Sequence, residues 1–205
     1  MICQRRWHCW VVPAFCTNIW QGLIGGHLAL LSCRLWPLFL VVIPFVWAGL
    51  ALSVLFETSI LTRILGGMVV IYAALSFRSV PYSIPLTLQA WLGPLCGAIN
   101  GVLTGLTGSL FLPGVMYLQA IGLSRDQLVQ AMGLLFALST LALGISLQET
   151  GRINVGLWQI SGFALLPALF GMYCGKICRG LISDDLFRRV FLSGLALLGL
   201  YIMLG

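Results

Sequence analysis

Long apolar runs, interrupted at wide intervals by single charges, set the pattern of this chain. Leu35–Phe56, Gln127–Gln148 and Ile153–Gly175 contain no Asp, Glu, Lys or Arg. Each is one membrane-helix length, since a bilayer core of about 30 Å needs about 20 apolar residues. Val190–Gly205 continues the theme, with Asp185–Arg189 leading into it amphipathically. Ile64–Phe77 is shorter, and Arg63 and Arg78 flank it where their side chains can snorkel to the two interfaces.

A sixth stretch differs. Ser79–Ser124 runs for 46 residues without a formal charge, but carries Pro81, Pro85, Pro94 and Pro113 and seven glycines: Gly93, Gly97, Gly101, Gly105, Gly108, Gly114 and Gly122. It is too long for one span and too interrupted for two plain helices. Breaks of this kind persist at membrane depth only where protein or a watery cavity satisfies the freed backbone groups. The stretch is therefore expected to form a broken or re-entrant helical hairpin.

The placement of charge tests that expectation. If Ser79–Ser124 enters and leaves on one side, then Arg34, Arg78, Arg125, Lys176, Arg179, Arg188 and Arg189 share a side, and only Arg63 and Arg152 lie opposite. If it crosses once, Arg34, Arg78 and Arg152 oppose the other six. The positive-inside rule prefers the first arrangement. It makes the loop 176–189 cytoplasmic in a multi-pass protein of the cell (inner) membrane.

Composition narrows the class. Of 205 residues, 60% are hydrophobic and 8% charged, with a net charge of +6. Average soluble domains carry roughly 25% charged residues. A soluble domain of this length could not hide so much apolar surface. Eleven Lys and Arg residues, nowhere in a run, do not make a phosphate-tracking surface. A soluble enzyme, a disordered chain and a nucleic-acid binder are excluded, and the lipid bilayer is the first partner. No apolar span contains Asp, Glu or His; Glu57, Asp126 and Glu149 fall at span ends. An intramembrane enzyme and a carboxylate proton relay are thus both unsupported. Cys3, His8, Cys9 and Cys16 lack zinc-site spacing, and Cys174 and Cys178 read as interfacial thiols. No P-loop lysine accompanies Gly101–Ser109. No metal or cofactor is expected.

The chain also echoes itself. Leu35-Trp36, Pro44 and Gly49 recur as Leu157-Trp158, Pro167 and Gly171, and Thr62-Arg63-Ile64 with Gly67 recurs as Arg188-Arg189-Val190 with Gly194. Residues 35–78 thus read as a two-span remnant of a first repeat. Residues 79–205 read as a complete second repeat, with its break at 101–113. Under the favoured topology the copies are inverted. Inverted repeats with broken helices between them are a recurring plan of secondary transporters. The fold expected is all-α, integral to the membrane and polytopic. Residues 1–34 hold four Cys, three Trp and both His, and read as a divergent, truncated or out-of-frame segment.

Gly93, Gly97, Gly101 and Gly105 recur every fourth residue, one smooth helical stripe that lets another backbone come close. Near its end Thr104, Thr107 and Ser109 offer hydroxyls around Gly105 and Gly108, and Asn100 lies one turn before Thr104. A helix restarting beyond Gly108, with Pro113 at its first turn, would present main-chain N–H groups to an anion. Thr104, Gly105, Thr107, Gly108 and Ser109 are accordingly the expected oxyanion site, with Asn100 and Gln130 as side-chain donors.

The segment Gly101-Val-Leu-Thr-Gly-Leu-Thr-Gly-Ser-Leu-Phe-Leu-Pro113, followed by Tyr117-Leu-Gln-Ala-Ile-Gly-Leu123, resembles the signature of the TauE/SafE family of sulfite exporters. Leu128-Val-Gln-Ala-Met-Gly-Leu-Leu-Phe136 and Gly151-Arg-Ile-Asn-Val-Gly-Leu-Trp158 occupy the places of the family's next helix and loop. Gly108-Ser109 stands for the family's glycine cluster, and Met132-Gly133 for its Thr-Ser pair. The resemblance covers 95–205 well and 35–78 weakly, and leaves 1–34 outside. It implies a secondary transporter that exports a small anion, sulfite or an organosulfonate. The alternative is a non-transporting remnant or structural membrane protein that lacks the first half-site. A homodimer, which would supply a second half-site, is left open.

Overall fold

In the computed structural model the described residues are 8–77, 84–109, 113–150, 171 and 184–204, and among them there are helices and turns but no strand. Among the described residues seven helices follow in order: α1 (His8–Leu23), α2 (Leu28–Leu52), α3 (Thr58–Phe77), α4 (Leu86–Thr107), α5 (Gly114–Ala120), α6 (Arg125–Glu149) and α7 (Asp184–Leu204). Two of them hold segments, Leu28–Leu52 and Asp126–Glu149, long and apolar enough to cross a bilayer. The helices run through Pro13, Pro37, Pro44 and Pro94, as spanning helices do when neighbouring groups satisfy the freed carbonyls.

The charge-free runs locate the helices better than they bound them. α2 starts seven residues before Leu35, because Arg34 does not end it. Its guanidinium Nη2 instead donates to Ile121 O and Gln89 Oε1, each at 2.9 Å. α3 gains a first turn when the Ile60 and Leu61 N–H groups donate to Glu57 O. α6 begins at a capping box: Ser124 Oγ accepts from Gln127 N at 3.3 Å, and Ser124 N donates to Gln127 Oε1 at 3.1 Å. The expected Ile153–Gly175 span is described only at residue 171, and the expected 176–189 loop only from Asp184 onward, where the chain is already helical as the first turns of α7.

Packing divides the chain into two units, Met1–Leu55 with Tyr82–Leu165, and Phe56–Pro81 with Leu166–Gly205. In the first unit α2 packs on α4 and α6, α1 on α6, and α5 fits beside α4 and α6. Val46, Leu50, Ala142, Leu143 and Leu147 form a core there, flanked by Ile43 and Trp47.

The α2–α4 contact is backbone against backbone. A Cβ on Gly97 would lie 2.7 Å from Leu38 O, one on Gly101 2.6 Å from Val42 O, and one on Gly105 against Val46 O; Gly49 answers from α2 by lying against Val102 O. The pairs advance together, so α2 and α4 run parallel in register. The α1–α6 contact is equally close, since a Gly133 Cβ would lie 2.6 Å from Gly22 N. Residues 8–23, read from the sequence as part of a divergent segment, thus form a helix packed on α6.

α4 ends where Gly108 adopts φ +71°, a left-handed conformation open to glycine, and its N–H caps Thr104 O at 2.7 Å. From there the chain folds back along α4. Gly114 N meets Asn100 Oδ1, Tyr117 OH donates to Gln89 O at 3.1 Å, and Ile84 N donates to Ala120 O at 2.8 Å. The segment 84–121 therefore starts and finishes at one end of its unit, the end marked by Arg34.

In the second unit α3 and α7 run antiparallel. Gly66 lies against Gly199 and Met203, whereas Gly199 lies against Gly66, Val69 and Val70. Ala73 and Leu192 are buried.

Large apolar side chains line the outside. Trp91 is 82% exposed, Trp36 and Leu40 58%, Leu197 69% and Tyr201 76%. An apolar exterior of this kind is what a helix bundle presents to lipid.

Candidate functional site

Asn100, Thr104 and Thr107 share one face of α4, spaced i, i+4 and i+7, and turn toward the returning limb of the hairpin. Asn100 and Thr104 are fully buried and Thr107 almost so. The fold uses their oxygens to hold the break together. Thr104 Oγ1 lies 2.7 Å from Asn100 O and 3.0 Å from Ser109 O. Thr107 Oγ1 donates to Leu103 O at 2.8 Å and accepts from Ser109 N at 3.2 Å. Asn100 Oδ1 accepts from Gly114 N at 3.3 Å. Pro113 stands at the N-cap of α5, so the helix restarts at Gly114.

This geometry differs from the sequence expectation in one respect. The N–H groups of Gly108, Ser109 and Gly114 are each occupied, by Thr104 O, Thr107 Oγ1 and Asn100 Oδ1. These three main-chain groups are thus engaged within the chain, as low dielectric favours. The donor left over is the Asn100 amide: Nδ2 is buried and has no partner. A buried, unpaired amide is costly, about 1–3 kcal/mol, unless a ligand completes it.

The other expected site residues separate. Ser109 closes the break beside Thr107 and is 9% exposed. Gly105 faces α2, at Val46 O and Leu50 N, and belongs to the close helix contact. Gln130 is fully buried on α6, but engages the α1–α2 turn: Nε2 donates to Gly22 O at 2.9 Å, and Oε1 accepts from His27 N at 3.1 Å. It is thereby tied to main chain at a different place from the break.

Three features escape a reading of the sequence. Arg34 joins the open end of the hairpin, and Tyr117 bolts α5 to Gln89. Ser139 and Ser146, on the inner side of α6, have buried hydroxyls without partners. Their spacing, two turns apart on one face, is the available signal. Among the described residues no group of three or more His, Cys, Asp or Glu could hold a metal ion.

The described residues are helical throughout apart from turns, with an apolar exterior, glycine-mediated helix contacts and a helix break, which is the build of a helical membrane protein. The chain belongs to the sulfite exporter TauE/SafE family, whose family model matches residues 11–202. The match takes in residues 11–34, which the signature segments alone leave outside the resemblance. Membership places the chain among transport proteins for anions rather than enzymes. No curated protein and no solved structure matches it.

Proposed function

We propose that this protein exports a small sulfur oxyanion, sulfite or an organosulfonate, across the cell membrane, and that the substrate is held at the α4–α5 break by the Asn100 amide nitrogen with the Ser109 hydroxyl beside it, while Thr104 and Thr107 hold the break in shape. The observation that carries the reading is the buried Asn100 Nδ2 without a partner. Its Oδ1 is pinned by Gly114 N, so the donor end is oriented before any ligand arrives. Preorganised neutral donors suit an oxyanion that must also be released. Inside-negative potential would drive the expulsion, at about 2.3 kcal/mol per charge per 100 mV.

The proposal includes the architecture. The hairpin 84–121 is re-entrant, with the Arg34 end cytoplasmic, and 35–78 and 157–204 are inverted copies. The antiparallel course of α3 and α7 supports that relation, because equivalent helices of inverted copies run in opposite senses. The test is sulfite efflux from proteoliposomes holding the purified chain, with taurine-like sulfonates as the second substrate. Efflux above that of empty liposomes, lost in Asn100→Leu, is expected. A chain that stays folded and moves neither anion would leave the non-transporting alternative in possession.

A further inference from the structure

Serine and threonine inside a helix ordinarily return their hydroxyl to the carbonyl one turn back. On α6 the threonine does so: Thr140 Oγ1 donates to Phe136 O at 2.6 Å. Just beyond the helix, Thr150 Oγ1 lies 2.9 Å from Ser146 O. Ser139 and Ser146 do not. They are 0% and 1% exposed, and neither hydroxyl has a hydrogen-bond partner. They stand two turns apart on one side of α6, about 10 Å along its axis. That side faces the interior of the unit. Leu135, one turn before Ser139, packs at Gly114, the residue bonded to Asn100. Ala142 and Leu143, between the two serines, pack on Val46 and Leu50 of α2.

Ser146 also forms part of the wall of a cavity of about 390 Å³, bounded by Trp47, Ala48, Leu50, Ala51, Val54 and Thr150 at the far end of α2 and α6. At its edge Trp47 Nε1 donates to Glu149 Oε2 at 2.8 Å. Among the described residues, four buried polar side-chain atoms of this unit have no partner. His27 Nδ1 lies apart at the α1–α2 turn, and the other three follow one another: Asn100 at the break, Ser139 on α6 one turn beyond Leu135, and Ser146 at a cavity by the end opposite Arg34.

We infer that Ser139 and Ser146 line the exit route of the anion, Ser139 as the next donor after Asn100 and Ser146 at the outer mouth. The inference rests on the transport reading above and adds the direction and lining of the route. A small oxyanion passing along this side exchanges one hydroxyl donor for the next at each step. The hydroxyls stay unpaired within the helix because pairing with it would withdraw them from the passenger.

The test joins flux to water access. Ser139→Ala and Ser146→Ala remove hydroxyls that bond nothing in the fold, so thermal unfolding in detergent should be unchanged or raised. Sulfite efflux from proteoliposomes should fall about fivefold in each, the effect of one lost hydrogen bond. A purely structural serine would give the reverse, with stability moving and flux unmoved. In a second arm, Ser146→Cys is treated with an anionic, membrane-impermeant methanethiosulfonate. Modification is read on the peptide carrying residue 146, so that native cysteines do not interfere. Labelling slowed by an organosulfonate such as isethionate, which unlike sulfite does not consume the reagent, is expected. If the parent chain moves sulfite, but both alanine variants match it and the introduced thiol does not react, the route is wrong and the transport reading stands. If the parent moves no anion, the transport reading fails, and absence of labelling at position 146 then overturns the route as well.

Discussion

At the scale of single residues, the helix break divides its polar atoms between two tasks. Thr104, Thr107 and the Asn100 carbonyl groups close the chain on itself, and the Asn100 amide nitrogen is left for something else. Thr104→Val removes the link between α4 and Ser109, and is expected to lower unfolding stability by about 1 kcal/mol, read by thermal melting in detergent. Asn100→Leu gives a double result. It strips Gly114 N–H of its acceptor at about 1–3 kcal/mol, and it abolishes anion flux. Gln130→Leu isolates a different place. It should cost a similar amount, because His27 N and Gly22 O lose their partners together, yet it leaves sulfite affinity at the break unchanged in the molecules that remain folded. A loss of affinity equal to that of Asn100→Leu would put Gln130 back among the substrate donors.

At the scale of elements, the close contacts decide which glycines matter. A Cβ on Gly101 meets Val42 O at 2.6 Å, and Phe45 crowds it as well. Gly101→Ala should therefore destabilise by about 1–3 kcal/mol. Gly194, on α7, has open space around it, and Gly194→Ala should stabilise by up to about 1 kcal/mol through helix propensity. Melting temperatures of the two variants in one detergent test the contrast. The stripe Gly93-Gly97-Gly101-Gly105 is legible in the sequence because a period of four is a direct statement about one helix face. Its partner is not, since nothing in the string says that α2 lies on that face, or that Gly93 meets the Tyr117 hydroxyl instead. The start of α2 is hidden because a charge reads as a boundary, whereas Arg34 finds two acceptors across the fold. α1 is hidden for a related reason: Trp, His and Cys disturb a hydropathy reading, whereas the helix is held by the fit of Gly22 to Gly133. At the break, residue types show where donors gather. Which of them are already spent depends on distances that no spacing encodes.

At the scale of the molecule, the ends of the first unit can be told apart. Arg34, Gln89 and Ile121 meet at one, and Trp47 and Glu149 at the other. With α2, α4 and α6 pointing the same way, the proposed topology puts Asp126 and Thr150 at opposite faces of a bilayer. In inverted and right-side-out vesicles, an impermeant thiol reagent should label Asp126→Cys only from the cytoplasmic face and Thr150→Cys only from the outer one. Labelling of both from one face would overturn the proposed topology.

The return of the chain from Ile84 to Ile121 at a single end has a consequence for biogenesis. In the proposed topology the hairpin makes no net crossing, and its glycine face is filled by the backbone of α2. Because α2 leaves the ribosome first, the seat for Gly97, Gly101 and Gly105 is already in the lipid when the hairpin emerges. Chain order here doubles as assembly order. A permuted gene that encoded the hairpin ahead of α2 would deliver the same residues into the membrane with their backbone groove open to lipid, and should be cleared by membrane proteases while the native order accumulates.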